Sequence, residues 1–330
     1  MKYKFFVFGF LTCIDIVGLA APSFAASEPQ KLRIGYSSFT GAYTPLWIAV
    51  EERLGRKHGL DLECVYIGRS VRPHQLLISG DAQYVASTGT GVVASHAVGI
   101  KDLVIIASLA NTTGTSIYSK PGIKNLDDLR DKVIGSGRPG GLSDTLLPYI
   151  LKGRLGLDPT RNVKVVRLGD DPSIILALEH GVIDAGMLTT PARLVAKKLG
   201  FRELLDLDQL GLQYPYVGIS TLKANVKKDP EMTGKLVRTL VDGIQIFQMN
   251  KGLSLHVMRR YLRGLSEEIL AETYGYFGTR IQKFPYPSVE AIKTALDIMS
   301  DQHPQARSVN PQDVVDLSFV KQVESSGVVR

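Results

Sequence analysis

The decapeptide GSGRPGGLSD, residues 135–144, contains Gly135-x-Gly137-x-x-Gly140, the spacing of a turn that can hold a dinucleotide pyrophosphate. That chemistry needs a strand before the turn, a helix after it and an acidic residue about 20 positions on to hold the ribose. "KVIGS" reads as the strand and "LSDTLLPYILKGRLG" as an amphipathic helix, but Asp170 and Asp171 arrive roughly ten residues too late, and Pro139 removes an N–H. What is left is a glycine-rich helix start. Gly137, Gly140 and Gly141 allow close approach to backbone amides, Ser143 adds a hydroxyl, and the helix N-terminus favours an anion. Arg138, in the turn, and Arg69, after the second predicted strand, are cations that can pair with a carboxylate, sulfonate or phosphate.

Three other junctions have the same small, hydroxyl-rich character where a strand gives way to a helix. "SSFTGAYTP" carries Ser37, Ser38, Phe39 and Tyr43; "STGTG" lies within Ser87, Thr88, Gly89 and Thr90; "LTTP" carries Thr189 and Thr190. Each alone is an ordinary cap or turn. Four together, drawn from two halves of the chain, point to a ligand site, because open α/β sheets bind ligands beyond the carboxyl ends of their strands. Tyr43 and Tyr214 are expected as walls of that pocket, whereas Trp47 fits the core equally well and Arg193, one turn into its helix, is expected to face solvent.

Reaction chemistry is hard to find. There is no G-x-S-x-G elbow, no H-E-x-x-H and no phosphate loop ending in Gly-Lys-Ser/Thr, and the six histidines stand far apart. The adjacent acids Asp170 and Asp171 are expected to face different ways. The sequence therefore predicts a non-enzymatic binder with no cofactor and no metal.

The first residues combine Lys2 and Lys4, an apolar stretch and small residues near Ala25, the pattern of a signal peptide over 1–25. Asp15 and Pro22 break that stretch short of a membrane span, and the residues before Cys13 do not form a lipobox, so the mature protein is expected in the periplasm, not membrane-inserted. Cleavage leaves Cys64 as the one cysteine, in a strand pattern, and the fold must rest on its core. It also removes Lys2, Lys4 and Asp15, which takes the net charge from +7 to +6. The basic residues come as scattered pairs without interleaved aromatics, which excludes nucleic acid as the expected partner.

The elements that must position these residues alternate short apolar runs with helical patterns, as in βα units feeding a mostly parallel sheet. "LRIGYS", "LDLECVYIG", "QYVAST" and "LVIIASLA" are strands of a first lobe, with Thr44 capping a helix that has Pro45 at its first position. After Pro121-Gly122 a second set follows: Asn125 capping "LDDLRD", then "KVIGS", "VKVVRL" and "IDAGML" with their helices, Thr190 capping the last. "YPYVGIST" is extended, and beyond residue 228 the patterns are helical and expected to pack back on the first lobe. The fold class is thus α/β, in two lobes, each a mostly parallel sheet flanked by helices. Lobe 1 covers 32–118 plus 220–330, lobe 2 covers 119–219, and hinges fall near 118–122 and 215–220.

"YTPLWIAVEERLGRKHGLDLECVYIG", "LLISGDAQYVAST", "IKNLDDLRDKVIGSGRPGGLSDTLLPYILKGRLGLDP" and "ALEHGVIDAGMLTTP" together resemble the solute-binding proteins of ABC importers for nitrate, sulfonates, taurine and thiamine-pyrimidine precursors, in order from about residue 32 to 220. The resemblance implies a two-lobed type II periplasmic-binding-protein fold and a monomer that captures a small solute between its lobes by hinge closure and delivers it to a membrane permease with its ATPase subunit. It also implies that the four junction loops touch the ligand. The arginines and helix ends suggest an anionic organic solute, sulfonate- or carboxylate-like. Two rivals resemble parts of the same pattern: a periplasmic sensor subunit for a receptor kinase, and the fungal thiamine-pyrimidine synthase branch, whose cysteine-rich iron site a chain with one mature cysteine does not match.

Overall fold

A computed structural model describes residues 1, 28–68, 73–301 and 303–327. Residues 2–25 of the expected signal segment, and Arg69, lie outside the described residues.

Apolar β-rich runs separated by helical segments build two five-stranded mixed sheets. The first takes β1 (Gln30–Tyr36), β2 (Leu60–Tyr66), β3 (Tyr84–Ser87), β4 (Leu103–Thr112) and β10 (Gln213–Leu222), in the order β2-β1-β3-β10-β4. The second takes β5 (Thr115–Ser119), β6 (Val133–Gly137), β7 (Lys164–Gly169), β8 (Ala185–Thr189) and β9 (Arg202–Asp206), in the order β7-β6-β8-β5-β9. β10 runs antiparallel to both β3 and β4, and β5 antiparallel to both β8 and β9; the remaining pairs are parallel. Each sheet therefore contains one reversed strand, the first that the chain forms after crossing into that lobe.

Those crossings lie earlier in the chain than the expected stretches. β5 belongs wholly to the second sheet, pairing Thr115 with Thr189, so the first passage is Thr113-Gly114 and not 118–122. The return runs from the end of β9 to Gln213, ahead of 215–220, because β10 already pairs with β4 at Gln213–Thr112. Which sheet a strand joins depends on partners some 75 residues away, as that Thr115–Thr189 register shows.

Helices cover the sheets. Lobe 1 carries α1 (Thr44–Glu51), α2 (Pro73–Ser79) and α3 (Thr90–Ala97); lobe 2 carries α4 (Leu142–Leu155), α5 (Asp171–Glu179) and α6 (Ala192–Lys198). After β10 come α7 (Lys223–Lys228), α8 (Pro230–Met249), α9 (Lys251–Tyr261), α10 (Glu267–Gly278), α11 (Val289–Met299) and α12 (Ser318–Ser325). This tail returns to lobe 1: α8 packs on α1, α11 on β10, and the Ser108 amide donates to Pro285 O at 2.8 Å. The α1–α8 contact is close enough that a Cβ on Gly243 would stand 2.2 Å from the Pro45 carbonyl oxygen. Among the described residues no helix is long and apolar enough to cross a membrane.

Two caps differ from expectation. α1 is preceded by a 3-10 turn over Gly41–Tyr43, so Thr44 is already helical and its hydroxyl bonds back to Gly41 O at 2.7 Å. Thr190 does not cap α6; its hydroxyl and amide both donate to Gly114 O, at 3.0 and 2.9 Å, tying the end of β8 to the crossing. Asn125 accepts from the Asp128 amide at 3.1 Å at the start of a single 3-10 turn.

Candidate functional site

The carboxyl ends of β1, β3, β6, β7 and β8 and the helix starts that follow them converge on a cleft between the lobes, occupied by a cavity of about 1050 Å³. Of the residues singled out in the sequence, Ser37, Ser38, Phe39, Tyr43 and Thr88 line it from lobe 1, and Gly137, Arg138, Gly141, Ser143 and Thr189 from lobe 2. Ser87, Gly89, Thr90, Thr190 and Tyr214 are buried away from the lining, and Gly140 is exposed outside it.

The reasons are local. The Gly89 amide donates to Pro215 O at 2.7 Å, and the Thr90 hydroxyl lies 2.8 Å from that of Thr88 and 3.1 Å from Tyr214 Oη, so this junction is closed by its own bonds. Tyr214 is fully buried there, and burial pushes its hydroxyl up to about 12. The pairing of β10 with β4 is irregular between Gln213 and Val217, and Tyr216, not Tyr214, reaches the cavity.

The glycine turn is also more self-satisfied than its sequence suggests. Ser143 Oγ accepts the Gly137 amide at 2.7 Å, Asp144 accepts the Gly140 amide at 2.9 Å, and the Gly141 amide donates to Arg138 O at 3.0 Å. Those three amides are committed to the protein. The positive end of α4 remains at the cavity wall through Leu142 and Ser143, first-turn residues whose amides have no acceptor one turn back. Arg138 reaches across the cleft: Nη2 donates to Ser37 O at 2.7 Å and Nη1 to Gly68 O at 3.4 Å.

Much of the wall is apolar. Phe39 and Tyr66, 47% and 38% exposed, lie with ring centroids 4.4 Å apart, and Tyr36 meets both. Opposite them are Leu142, Ile175, Ala192 and Val195 of lobe 2. Exposed aromatic faces beside a cavity offer a surface for a flat or aliphatic body. Trp47 is core: fully buried, it stacks on Tyr261 at 4.6 Å and 8°.

Sequence reasoning missed the acids. Asp170 caps α5, accepting from the Ser173 amide at 3.1 Å, while Asp171 accepts from the amide of Thr189 at 3.1 Å and from its hydroxyl. The two do hold different partners, yet both line the cavity. Burial raises the Asp171 carboxyl to about 6, with Asp170 adding to the rise and Thr189 and Arg138 opposing it. The signal was present: "GDDPS" is a fifth strand-to-helix junction, with the same placement as the other four. Arg193 is the other correction. Its side chain is only 11% exposed, pairs with Asp206 at 3.1 Å, bonds Ser116 Oγ at 2.9 Å and lies 4.8 Å over the Tyr276 ring. Arg280 covers the same ring at 3.8 Å, and Asp208 holds both the Tyr276 hydroxyl and the Gly114 amide, so the tail is locked against both crossings.

The family model described as "NMT1/THI5 like" matches residues 42–250, more than half of the chain, including three of the four junctions and the end of the first. The chain belongs to the NMT1/THI5-like family. Solved structures share its fold. The alkanesulfonate-binding protein SsuA of Xanthomonas axonopodis pv. citri, bound to MOPS, superimposes with a TM-score of 0.68 at 20% identity, over 90% of this chain and 99% of that one. The periplasmic aliphatic sulphonate binding protein SsuA of Escherichia coli gives 0.70 at 18% identity, over 88% and 92%. The periplasmic nitrate-binding protein NrtA of Synechocystis PCC 6803 gives 0.70 at 12%, over 92% and 90%. The NMT1/THI5-like chain described here thus has the two-lobed architecture of these binding proteins, with its cavity at the junction loops. Among the described residues no group of His, Cys, Asp or Glu is arranged to hold a metal ion.

Proposed function

We propose that this protein is the periplasmic solute-binding component of an ABC importer, that it captures a small organic solute between its lobes by hinge closure, and that it passes the solute unaltered to a membrane permease. The observation that supports this most is the cavity of about 1050 Å³ with walls drawn from both lobes. A solute touching both walls favours the closed form by its differential contacts, and that form is what a transporter can distinguish.

The lining narrows the solute. The volume is that of a site for an organic molecule and far exceeds the needs of a bare inorganic anion. An apolar body would lie against Phe39, Tyr66 and Val195, and a carboxylate or sulfonate would point to the start of α4 at Leu142 and Ser143, with Ser38, Thr88 and Thr189 supplying hydroxyls.

A thermal-shift screen of sulfonates, carboxylates, nitrate and pyrimidines on the signal-free protein tests this reading. A ligand at one hundred times its Kd stabilises by about 2.7 kcal/mol, a shift of several degrees. An organic sulfonate or carboxylate should raise the melting point where nitrate does not. Stabilisation by nitrate alone would contradict the reading.

A further inference from the structure

Hydrogen bonds between parts of the protein itself cross the cleft, and two of them grip one short loop. In lobe 1 the 37–40 loop leaves β1 and carries Phe39. Lobe 2 holds its first residue through Arg138 Nη2 on Ser37 O at 2.7 Å, and its last through Thr40 Oγ1, which donates to Thr190 O at 2.8 Å in a buried contact. Arg138 also reaches the Gly68 carbonyl at 3.4 Å, so its fork spans two lobe 1 loops.

The turn that carries Arg138 is built to aim it. On one side the Gly137 amide is held by Ser143; on the other the Gly141 amide returns to Arg138 O, and Pro139 fixes its own φ. A guanidinium on a braced backbone loses less freedom when it bonds, and a charged donor on a carbonyl is among the stronger hydrogen bonds. The ion pairs between the lobe 2 helices and the tail, Lys152–Asp301 and Lys198–Glu268, are solvent-exposed and of the kind that contributes little. Thr190, the other anchor, is itself tied to the crossing through Gly114.

We infer that Arg138 is a closure latch, a positioning residue that with Thr40 holds the lobes together through backbone carbonyls, and not the partner of the solute's charge. The inference rests on the two-lobed closing protein proposed above but not on what the solute is. It has a thermodynamic consequence. These contacts belong to the closed form and need no solute, so the fraction of competent protein, and with it the apparent affinity for every solute, charged or neutral, is set in part by this residue.

The test uses the ligand-free mature protein and small-angle X-ray scattering, with wild type, Arg138→Ala, Arg138→Lys and Thr40→Val compared at one protein concentration. Wild type should give a single compact radius of gyration matching the closed form. Arg138→Ala and Thr40→Val should each shift it upward toward an open form. Arg138→Lys, with a single ammonium in place of a two-armed fork, should fall between wild type and Arg138→Ala. Melting temperatures separate this from unfolding: the latch variants should stay folded, with melting points within a few degrees of wild type. A wild type already as expanded as Arg138→Ala, or an Arg138→Ala protein that melts normally and stays as compact as wild type, would overturn the latch. Either result would leave the solute-binding reading standing, because that reading is decided by the thermal-shift screen.

Discussion

Replacing Asp171 by Asn should make the protein more stable at neutral pH and leave it almost unchanged in acid. The Asp171 carboxyl lies in the cleft with its acceptors turned to the amide and hydroxyl of Thr189, and burial lifts it from 3.8 to about 6. The charged groups acting on it are Asp170, which raises it further, and Arg138, which lowers it. A carboxyl raised in the folded protein binds its proton more tightly there than in the unfolded chain. Its contribution to stability is therefore complete below about pH 4 and is lost as pH rises through about 6. A displacement of roughly two units corresponds to about 3 kcal/mol between the ends of that window. Asn keeps an acceptor for Thr189 and has no charge to bury. Urea unfolding followed by circular dichroism at pH 4 and pH 8 measures the effect. The Asp171→Asn protein should gain up to about 3 kcal/mol on wild type at pH 8 relative to their difference at pH 4. An equal difference at both pH values would show that the carboxyl is not held out of water, and would refute the account of the cleft's interior.

His74 supplies the opposite slope: burial lowers its imidazole from 6.5 to about 4, so the neutral form is needed for folding and stability falls as pH drops from about 6.5 toward 4. The two groups partly cancel in wild type, and His74→Gln should remove the loss on the acid side and leave the rise that Asp171 gives there, read as a urea midpoint that increases from pH 7 to pH 5 relative to wild type. Gly243→Ala should cost about 1–3 kcal/mol, since its Cβ would press on the Pro45 carbonyl oxygen at 2.2 Å and push α8 from α1; thermal unfolding would show it as a lowered melting point. Ser143→Ala should cost about 1–3 kcal/mol in the same assay by leaving the Gly137 amide without its acceptor. Val195→Trp, which places an indole in the cavity from α6, should abolish the thermal shift produced by solutes while the ligand-free melting point stays within a few degrees of wild type.

Much of the architecture was legible because periodicity is a local property. Short apolar runs such as those of β4 and β8 and the capped helices between them mark βα units without knowledge of their partners, and the change to helical patterns after residue 228 marks the tail. The strand-to-helix junctions could be found for the same reason, and ten of their residues line the cavity. What was hidden depends on distant partners. The membership of β5 is set by pairing with β8 and β9, and the burial of Arg193 by Asp206 and by Tyr276 from the tail. The divergence of Tyr214 and Tyr216 accompanies an irregular register with β4 that alternation alone does not reveal. The glycine turn is the most instructive difference. Its amides looked free because a sequence shows donors but not the side chains, Ser143 and Asp144, that fold back to take them.

The most direct test of the central claim is to load the mature protein with the most stabilising sulfonate or carboxylate of the screen, remove unbound compound, denature the protein and weigh what is released by mass spectrometry. The account predicts close to one molecule per protein with its mass unchanged, and none recovered from Val195→Trp. A product of altered mass, or equal recovery from Val195→Trp, would contradict it.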